Sequence, residues 1–221
     1  MKYKPYSNIV FTIIAISFGQ IYSNEAMCGP FDLSKAKPGS DGVISIPNDS
    51  GQYLRVEDPS IKIVNAADAE SVAMLTFSGN PVKPPAFGFR DPANSVSAKF
   101  RINPAASAGG AEETIITHPG NYELRYSPAR NDVTLFVYYK EKTPAVNLKG
   151  QLLAGKWSAV EILVKGSDIK LTVDGNAVTG SIPGGATMAG AKSFIRIGAT
   201  QDGARPFAGS LADIAVSEPA Q

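Results

Sequence analysis

From Val43 to Val216 the chain is divided into short runs of apolar and alternating residues, separated by turn-forming clusters. Gly, Pro, Asn and Asp in these clusters supply positive φ angles or remove backbone donors, so the chain changes direction there. No amphipathic helix of any length interrupts the runs. This succession predicts an all-β protein, an antiparallel sandwich of two sheets. The predicted strands are Val43–Ile46, Ile61–Val64, Val72–Phe77, Val96–Ile102, Thr114–Thr117, Tyr122–Tyr126, Val133–Tyr139, Val146–Leu148, Trp157–Val164, Ile169–Val173, Phe194–Gly198 and Leu211–Val216.

The stretch Gly155–Val178, GKWSAVEILVKGSDIKLTVDGNAV, holds the clearest pair of strands. Trp157 opens a run in which alternate residues of Val160–Val164 are apolar, and Ile169–Val173 alternates in the same way. Because successive side chains of a strand point to opposite faces, each run has one core face. Asp174-Gly175 then predicts a tight turn, since Gly tolerates positive φ and Asp hydrogen-bonds its own backbone.

Five segments in the same chain order carry a resemblance to a known family. They are Val72–Gly79, Ser95–Ile102, Gly155–Ile162, Ile169–Val178, and the pair Phe194–Gly198 with Phe207–Val216. Together they are similar to the laminin-G-like, concanavalin A-like jelly-roll family, over about residues 40–218. The resemblance implies two stacked antiparallel sheets of about six or seven strands each, one of them concave. It also implies binding of carbohydrate or protein or, in some relatives, cleavage of polysaccharides.

Residues 1–23 have the pattern of a secretory signal peptide. A short basic start precedes the apolar run Ile9–Phe18, and small residues suited to cleavage follow it. The run is shorter than the roughly 20 residues that a membrane-spanning helix needs. We therefore expect residues 1–23 to be removed, residues 24–42 to be an extended leader and residues 43–221 to form one domain. The expected location is secreted, extracellular or periplasmic.

Charge and cysteine content limit the classes of partner. Residues 24–221 contain 19 lysines and arginines and 20 aspartates and glutamates. Without a basic excess, nucleic acid and anionic membranes are poor partners. Cys28 is the single cysteine, so one chain cannot form a disulfide. The preceding Glu25-Ala26-Met27 does not match a bacterial lipobox, which favours a free or intermolecularly paired thiol.

Two neighbouring predicted strands carry a mixed aromatic and polar face opposite their core face. That face holds Glu123, Arg125, Thr134, Phe136 and Tyr138. Aromatic rings pack against the apolar side of sugar rings, while Arg, Thr and Glu hydrogen-bond hydroxyls. We therefore predict a ligand-binding face here, with a polysaccharide or glycan as the partner and a protein as the alternative. The same pattern also fits Phe136 and Tyr138 packing beneath a loop.

An enzymatic alternative uses the same strands. The hydrolytic relatives carry paired carboxylates as Glu-x-Asp-x-x-Glu, and the chain has no such string. Relatives that act as polysaccharide lyases use Tyr, His and Arg, which are present at His118, Arg125 and Tyr138 without the lyase strings around them. His118 is followed by Pro119-Gly120 and is expected in an exposed loop. No catalytic residue is therefore predicted, and a small polysaccharide lyase or glycoside hydrolase is the alternative function.

The resemblance also implies Ca²⁺ at the rim of the sandwich, bound by Asp carboxylates and backbone carbonyls. Asp91, Asp202 and Asp213 lie in predicted loops or at strand ends and are the candidate ligands. They do not form a dedicated calcium-binding string. Ca²⁺ is the one cofactor that the sequence brings into consideration.

Overall fold

The computed structural model describes residues 30–64, 74–79, 83–87, 95–106, 110–140, 143–186, 188 and 194–217. Within these residues, sixteen strands form two antiparallel sheets, and the only helical segments are the 3-10 turns Leu33–Lys35 and Pro183–Gly185. The prediction of an all-β sandwich of two antiparallel sheets is confirmed. In the part of the chain described, no helix has the length and apolar character to cross a bilayer.

The strands divide unequally between the two sheets. In chain order they are β1 Lys37–Pro38, β2 Ile44–Pro47, β3 Tyr53–Val56, β4 Lys62–Val64, β5 Met74–Ser78, β6 Ala86–Phe87, β7 Ser95–Pro104, β8 Glu113–His118, β9 Tyr122–Ser127, β10 Asp132–Lys140, β11 Thr143–Gln151, β12 Ser158–Lys165, β13 Asp168–Val173, β14 Asn176–Ser181, β15 Arg196–Ile197 and β16 Ala208–Ser217. Nine strands form one sheet, in the order β1-β2-β3-β6-β15-β8-β9-β10-β11. Seven form the other, in the order β14-β13-β12-β7-β16-β5-β4.

Four strands were not predicted, and three of them widen the larger sheet beyond the six or seven strands expected. β1 and β6 are two residues long, and β3 has four residues, too short for a periodic pattern. β14 lies at the edge of the seven-stranded sheet, and five of its six residues are exposed. Its place depends on pairing with β13 rather than on apolar alternation.

The predicted hairpins and faces of the seven-stranded sheet are present. β12 pairs with β13 so that Val160 faces Val173, and the apolar residues of both strands are buried. Asp174 and Gly175 have φ angles of 48° and 80°, as a two-residue turn with two positive φ angles requires. Trp157 lies just before β12, half-buried, rather than inside the strand.

The core lies between the inner faces of the two sheets. The predicted core face of β10 holds Val133, Leu135, Val137 and Tyr139; the first three are fully buried and Tyr139 is half-buried. Large buried side chains come from both sheets, including Tyr122 and Tyr126 of β9. Because each strand presents alternate residues to this space, the opposite residues are left for the outer faces.

The domain begins before the predicted boundary at Val43. Phe31 and Leu33 are buried in the core, and the Phe31 ring lies 5.2 Å from that of Phe87. The backbone N–H of Phe31 also donates to the carbonyl of Ile214 at 2.7 Å. Residues 30–42 are therefore part of the sandwich rather than a separate leader. The predicted signal peptide, residues 24–29 and Cys28 lie outside the described residues.

Candidate functional site

An open pocket lies on the outer face of the nine-stranded sheet, with a volume of about 760 Å³. We call it the Arg125 pocket. Its floor comes from β8, β9 and β10, and its wall comes from the loop between β15 and β16. The lining residues are Thr117, Pro119, Gly120, Tyr122, Glu123, Arg125, Tyr138, Thr200, Gln201, Asp202, Ala204 and Arg205.

Strand alternation brings the polar side chains of the pocket together. On β9, Leu124 and Tyr126 point into the core, so Glu123 and Arg125 point outward. β8 and β10 flank β9, and their registers set Thr117 opposite Glu123 on one side and Thr134 opposite Arg125 on the other. The predicted ligand face is thus a single row of neighbouring outward residues.

Glu123 is the charged centre of this row, with only 6% of its side chain exposed. Arg125 Nη2 donates to one carboxylate oxygen at 2.7 Å, and Arg205 Nη2 donates to the other at 2.8 Å. The hydroxyl of Thr114 adds a third hydrogen bond at 2.6 Å. Burial alone would raise the pKa of Glu123, but these donors outweigh it and hold the pKa below its ordinary value. The carboxylate is therefore ionised, and both of its oxygens already accept hydrogen bonds from other side chains of the protein.

Arg125 is fixed by several contacts at once. Its guanidinium lies 4.3 Å from the centroid of the Phe136 ring, and its Nη1 donates to Glu112 at 3.2 Å. Glu112 in turn accepts from the more exposed Arg130 at 3.1 Å. Arg125 therefore covers one side of the Phe136 ring. Thr134, with 4% exposure, is buried beside this stack.

Tyr138 lines the pocket and is half-buried. Burial raises the pKa of its phenol, and the negative charge of Glu123 raises it further. The phenol is therefore neutral at physiological pH, with a hydroxyl that both donates and accepts. A tyrosine acting as a catalytic base needs the opposite shift.

Arg205, which no sequence pattern indicated, reaches the pocket from the loop before β16. Its φ angle of 49° is unusual for a non-glycine residue, and its carbonyl accepts from the N–H of Thr114 at 2.8 Å. These features turn the side chain onto Glu123. The sequence predicted a strand at Thr114–Thr117, but it did not show that the loop around Asp202 folds against that strand.

His118 lies on the other side of the sheet. It is fully buried at the end of β8, its ring packs edge-on against that of Tyr122 at 5.9 Å, and its Nδ1 is 3.2 Å from the Asn121 amide. The expectation of an exposed loop histidine is wrong, because β8 continues through His118 and directs it to the core. Arg125 and Tyr138 line the pocket, and His118 does not.

Of the three candidate calcium ligands, the two that the structure describes, Asp202 and Asp213, lie in different parts of the sandwich. Asp91 lies outside the described residues. Asp202 is at the pocket, where Thr200 and the N–H of Ala204 donate to its carboxylate and hold its pKa below the ordinary value. Asp213 belongs to the seven-stranded sheet and lies 3.8 Å from Arg101. Among the described residues, no group of three or more His, Cys, Asp or Glu side chains has the arrangement of a metal site.

Two stacked antiparallel sheets with an open, polar pocket on an outer face define a lectin-like β-sandwich. The chain belongs to the concanavalin A-like lectin/glucanases superfamily, whose laminin-G family model matches residues 78–220. No curated protein matches the sequence.

Solved structures of similar fold include binding domains of botulinum neurotoxins. The botulinum neurotoxin serotype D binding domain has a TM-score of 0.63 at 12% identity, over 89% of this chain and 48% of that one. The serotype D ligand-binding domain in complex with N-acetylneuraminic acid has a TM-score of 0.61 at 11% identity, over 89% and 48%. A structure of botulinum neurotoxin type C, whose cell entry depends on interaction with two ganglioside molecules, has a TM-score of 0.57 at 11% identity, over 80% of this chain and 46% of that one. The chain spans about half the length of these domains, and such identities show the fold alone.

Proposed function

We propose that this protein is a secreted, non-catalytic module that binds a polysaccharide or glycan chain in the Arg125 pocket. The observation that carries the proposal is an open cavity of about 760 Å³ whose donors and acceptors are fixed by mutual hydrogen bonds. Groups held in place before the ligand arrives lose little freedom on binding. The signal-peptide pattern of residues 1–23 supports secretion.

The chemistry of the pocket suits hydroxyl-rich ligands. Within the described residues, Arg205 donates from Nε to the Thr114 hydroxyl and from Nη2 to the Glu123 carboxylate. Its Nη1 is left to donate to a ligand oxygen. Tyr138 adds a hydroxyl, and Asp202 adds a carboxylate at the pocket mouth. With the Phe136 ring covered by Arg125 on one side, recognition here relies on hydrogen bonding more than on stacking. The glycans bound by the toxin domains support a glycan over a protein as the partner.

The same geometry favours binding over cleavage. A general acid needs a raised carboxyl pKa, whereas the pKa of Glu123 is lowered. A tyrosine base needs a lowered pKa, whereas that of Tyr138 is raised. With His118 packed on the core side, the lyase and hydrolase alternatives have less support than binding.

The proposal is tested with a glycan array. Each oligosaccharide that binds is then titrated by calorimetry. We expect Arg205→Gln to weaken binding about tenfold or more and Tyr138→Phe about two- to tenfold, since a hydrogen bond contributes about 1.5–3 kcal/mol when one group is charged and about 0.5–1.5 kcal/mol when both are neutral. Lys62→Gln, which removes one exposed positive charge from β4 on the other sheet, is the matched control and should leave affinity unchanged.

Two results would contradict the proposal. One is that no glycan binds, or that Arg205→Gln and Tyr138→Phe both bind with the affinity of the wild type. The other is the release of unsaturated uronate products from alginate, pectate or hyaluronan, seen as rising ultraviolet absorbance. That product would support the lyase alternative.

A further inference from the structure

A second cavity lies where one edge of the nine-stranded sheet meets the seven-stranded sheet. It has a volume of about 390 Å³ and opens beside the end of β11, the start of β12 and the Asp174-Gly175 turn. We call it the Trp157 cavity. Pockets for small ligands commonly have volumes from about 300 to 1,000 Å³. Its lining shares no residue with that of the Arg125 pocket, so the two are separate.

Trp157 forms an aromatic wall of this cavity. The Arg101 guanidinium lies 5.1 Å from the centroid of the indole ring, and Asp213 lies 3.8 Å from Arg101. Arg101 itself does not line the cavity. An aromatic ring beside an open cavity is a packing surface for the C–H side of a sugar ring.

Polar groups of both kinds surround the indole. Lys149 and Lys156 are exposed, line the cavity and form no ion pair within the part of the chain described. One carboxylate oxygen of Asp174 accepts from the N–H of Ala159 at 2.8 Å, which leaves the other oxygen for a hydroxyl. Asn176 contributes an amide. Two unpaired ammonium groups against one carboxylate favour an anionic ligand.

The walls are held rigidly. Asp174 is clamped to β12 by two bonds, since its N–H also donates to the Ala159 carbonyl at 2.9 Å. At the other wall, Gly150 lies so close to Val173 that an added Cβ would be 2.5 Å from a methyl carbon. The strands that carry the lining residues are therefore packed together before any ligand binds, which lowers the cost of binding.

We infer that the Trp157 cavity is a second saccharide site, and that it takes an acidic sugar residue. The ring of the sugar packs on the indole, and its carboxylate or sulfate group lies toward Lys149 and Lys156. This site goes beyond the proposed function and does not depend on the Arg125 pocket.

The chain itself supplies the reporter, because Trp157 is its only tryptophan. Indole emission is followed while oligogalacturonate, oligoguluronate or a heparin tetrasaccharide is added to the full-length protein, with cellohexaose and maltohexaose as neutral probes. We expect a saturable change with at least one acidic oligosaccharide and a smaller one with the neutral probes. Tyr138→Phe should leave this change intact.

Variants of the two lysines test the charge preference. Lys149→Gln and Lys156→Gln should each lower the affinity for the acidic oligosaccharide roughly two- to fivefold. This is about the range measured for exposed charge pairs. The matched pair Lys37→Gln and Lys62→Gln, also exposed but outside the cavity, should have no effect. Thermal melts check that all four fold.

The inference is overturned if no acidic oligosaccharide alters the emission, or if neutral and acidic probes act equally. Loss of the signal in Tyr138→Phe would also overturn it, because the indole would then report the Arg125 pocket. A loss of glycan binding confined to the Arg125 pocket, with the indole response unchanged, would contradict the proposed function and leave this second site standing.

Discussion

Glu123→Gln is expected to destabilise the protein by about 3 kcal/mol, as found when one partner of a buried ion pair is removed. The glutamine keeps the shape of the side chain but replaces one acceptor oxygen with an amide donor. Arg125 and Arg205, which donate to the two oxygens at 2.7 and 2.8 Å, then share a single neutral acceptor. Urea unfolding at pH 7, followed by far-ultraviolet circular dichroism, measures the change in the free energy of unfolding.

The loss is expected to depend on pH. The pKa of Glu123 in the folded protein is below its ordinary value of 4.5, so the unfolded chain binds a proton more readily than the folded one. The stabilisation is therefore complete above about pH 4.5 and is lost as pH falls through the folded pKa. Wild type and Glu123→Gln should thus converge in stability on acidification. A difference that stays constant down to pH 3 would contradict this account.

Glu112→Gln is the matched control for this variant. Glu112 also accepts from Arg125, but a third of its side chain is exposed and its second partner, Arg130, lies at the surface. Pairs of this kind contribute between about 0 and 1 kcal/mol. If Glu112→Gln destabilises as strongly as Glu123→Gln, burial is not what makes the inner carboxylate important.

Gly198→Ala is expected to destabilise the protein by about 2–5 kcal/mol. Gly198 has a φ angle of 79°, which costs a residue with a Cβ roughly 1–2 kcal/mol. The added carbon would lie 2.2 Å from the Phe77 ring, and overpacking of this kind adds about 1–3 kcal/mol. The backbone has little freedom to move away, since its N–H bonds Ile115 and its carbonyl bonds Phe207, both at 2.8 Å.

Gly155→Ala separates the two contributions. Gly155 has a similar φ angle of 73°, but an added Cβ there would meet nothing within 4 Å. Only the backbone penalty of roughly 1–2 kcal/mol applies, so the difference between the variants isolates the contact with Phe77. Equal losses in chemical denaturation of the two variants would refute the steric part of the argument.

Four side chains at or near the candidate site separate what a local sequence pattern can predict from what it cannot. Glu123 and Arg125 were grouped correctly, because alternation within one hairpin is a local property. Arg205 was missed because it meets Glu123 across 82 positions of sequence, through a loop conformation with a positive φ angle. His118 was misjudged because Pro119-Gly120 indicates a turn but does not say on which face the preceding strand ends.

The sequence by itself determined twelve of the sixteen strands, the apolar faces of the longer ones and the tight turn at Asp174-Gly175. These follow from side-chain period and local backbone sterics, which act over a few residues. Only the tertiary structure decided which strands are neighbours, that Phe31 joins the core, and that Arg205 and Trp157 each border a cavity. Such contacts depend on chain segments far apart in sequence closing against one another, and no local pattern encodes that pairing.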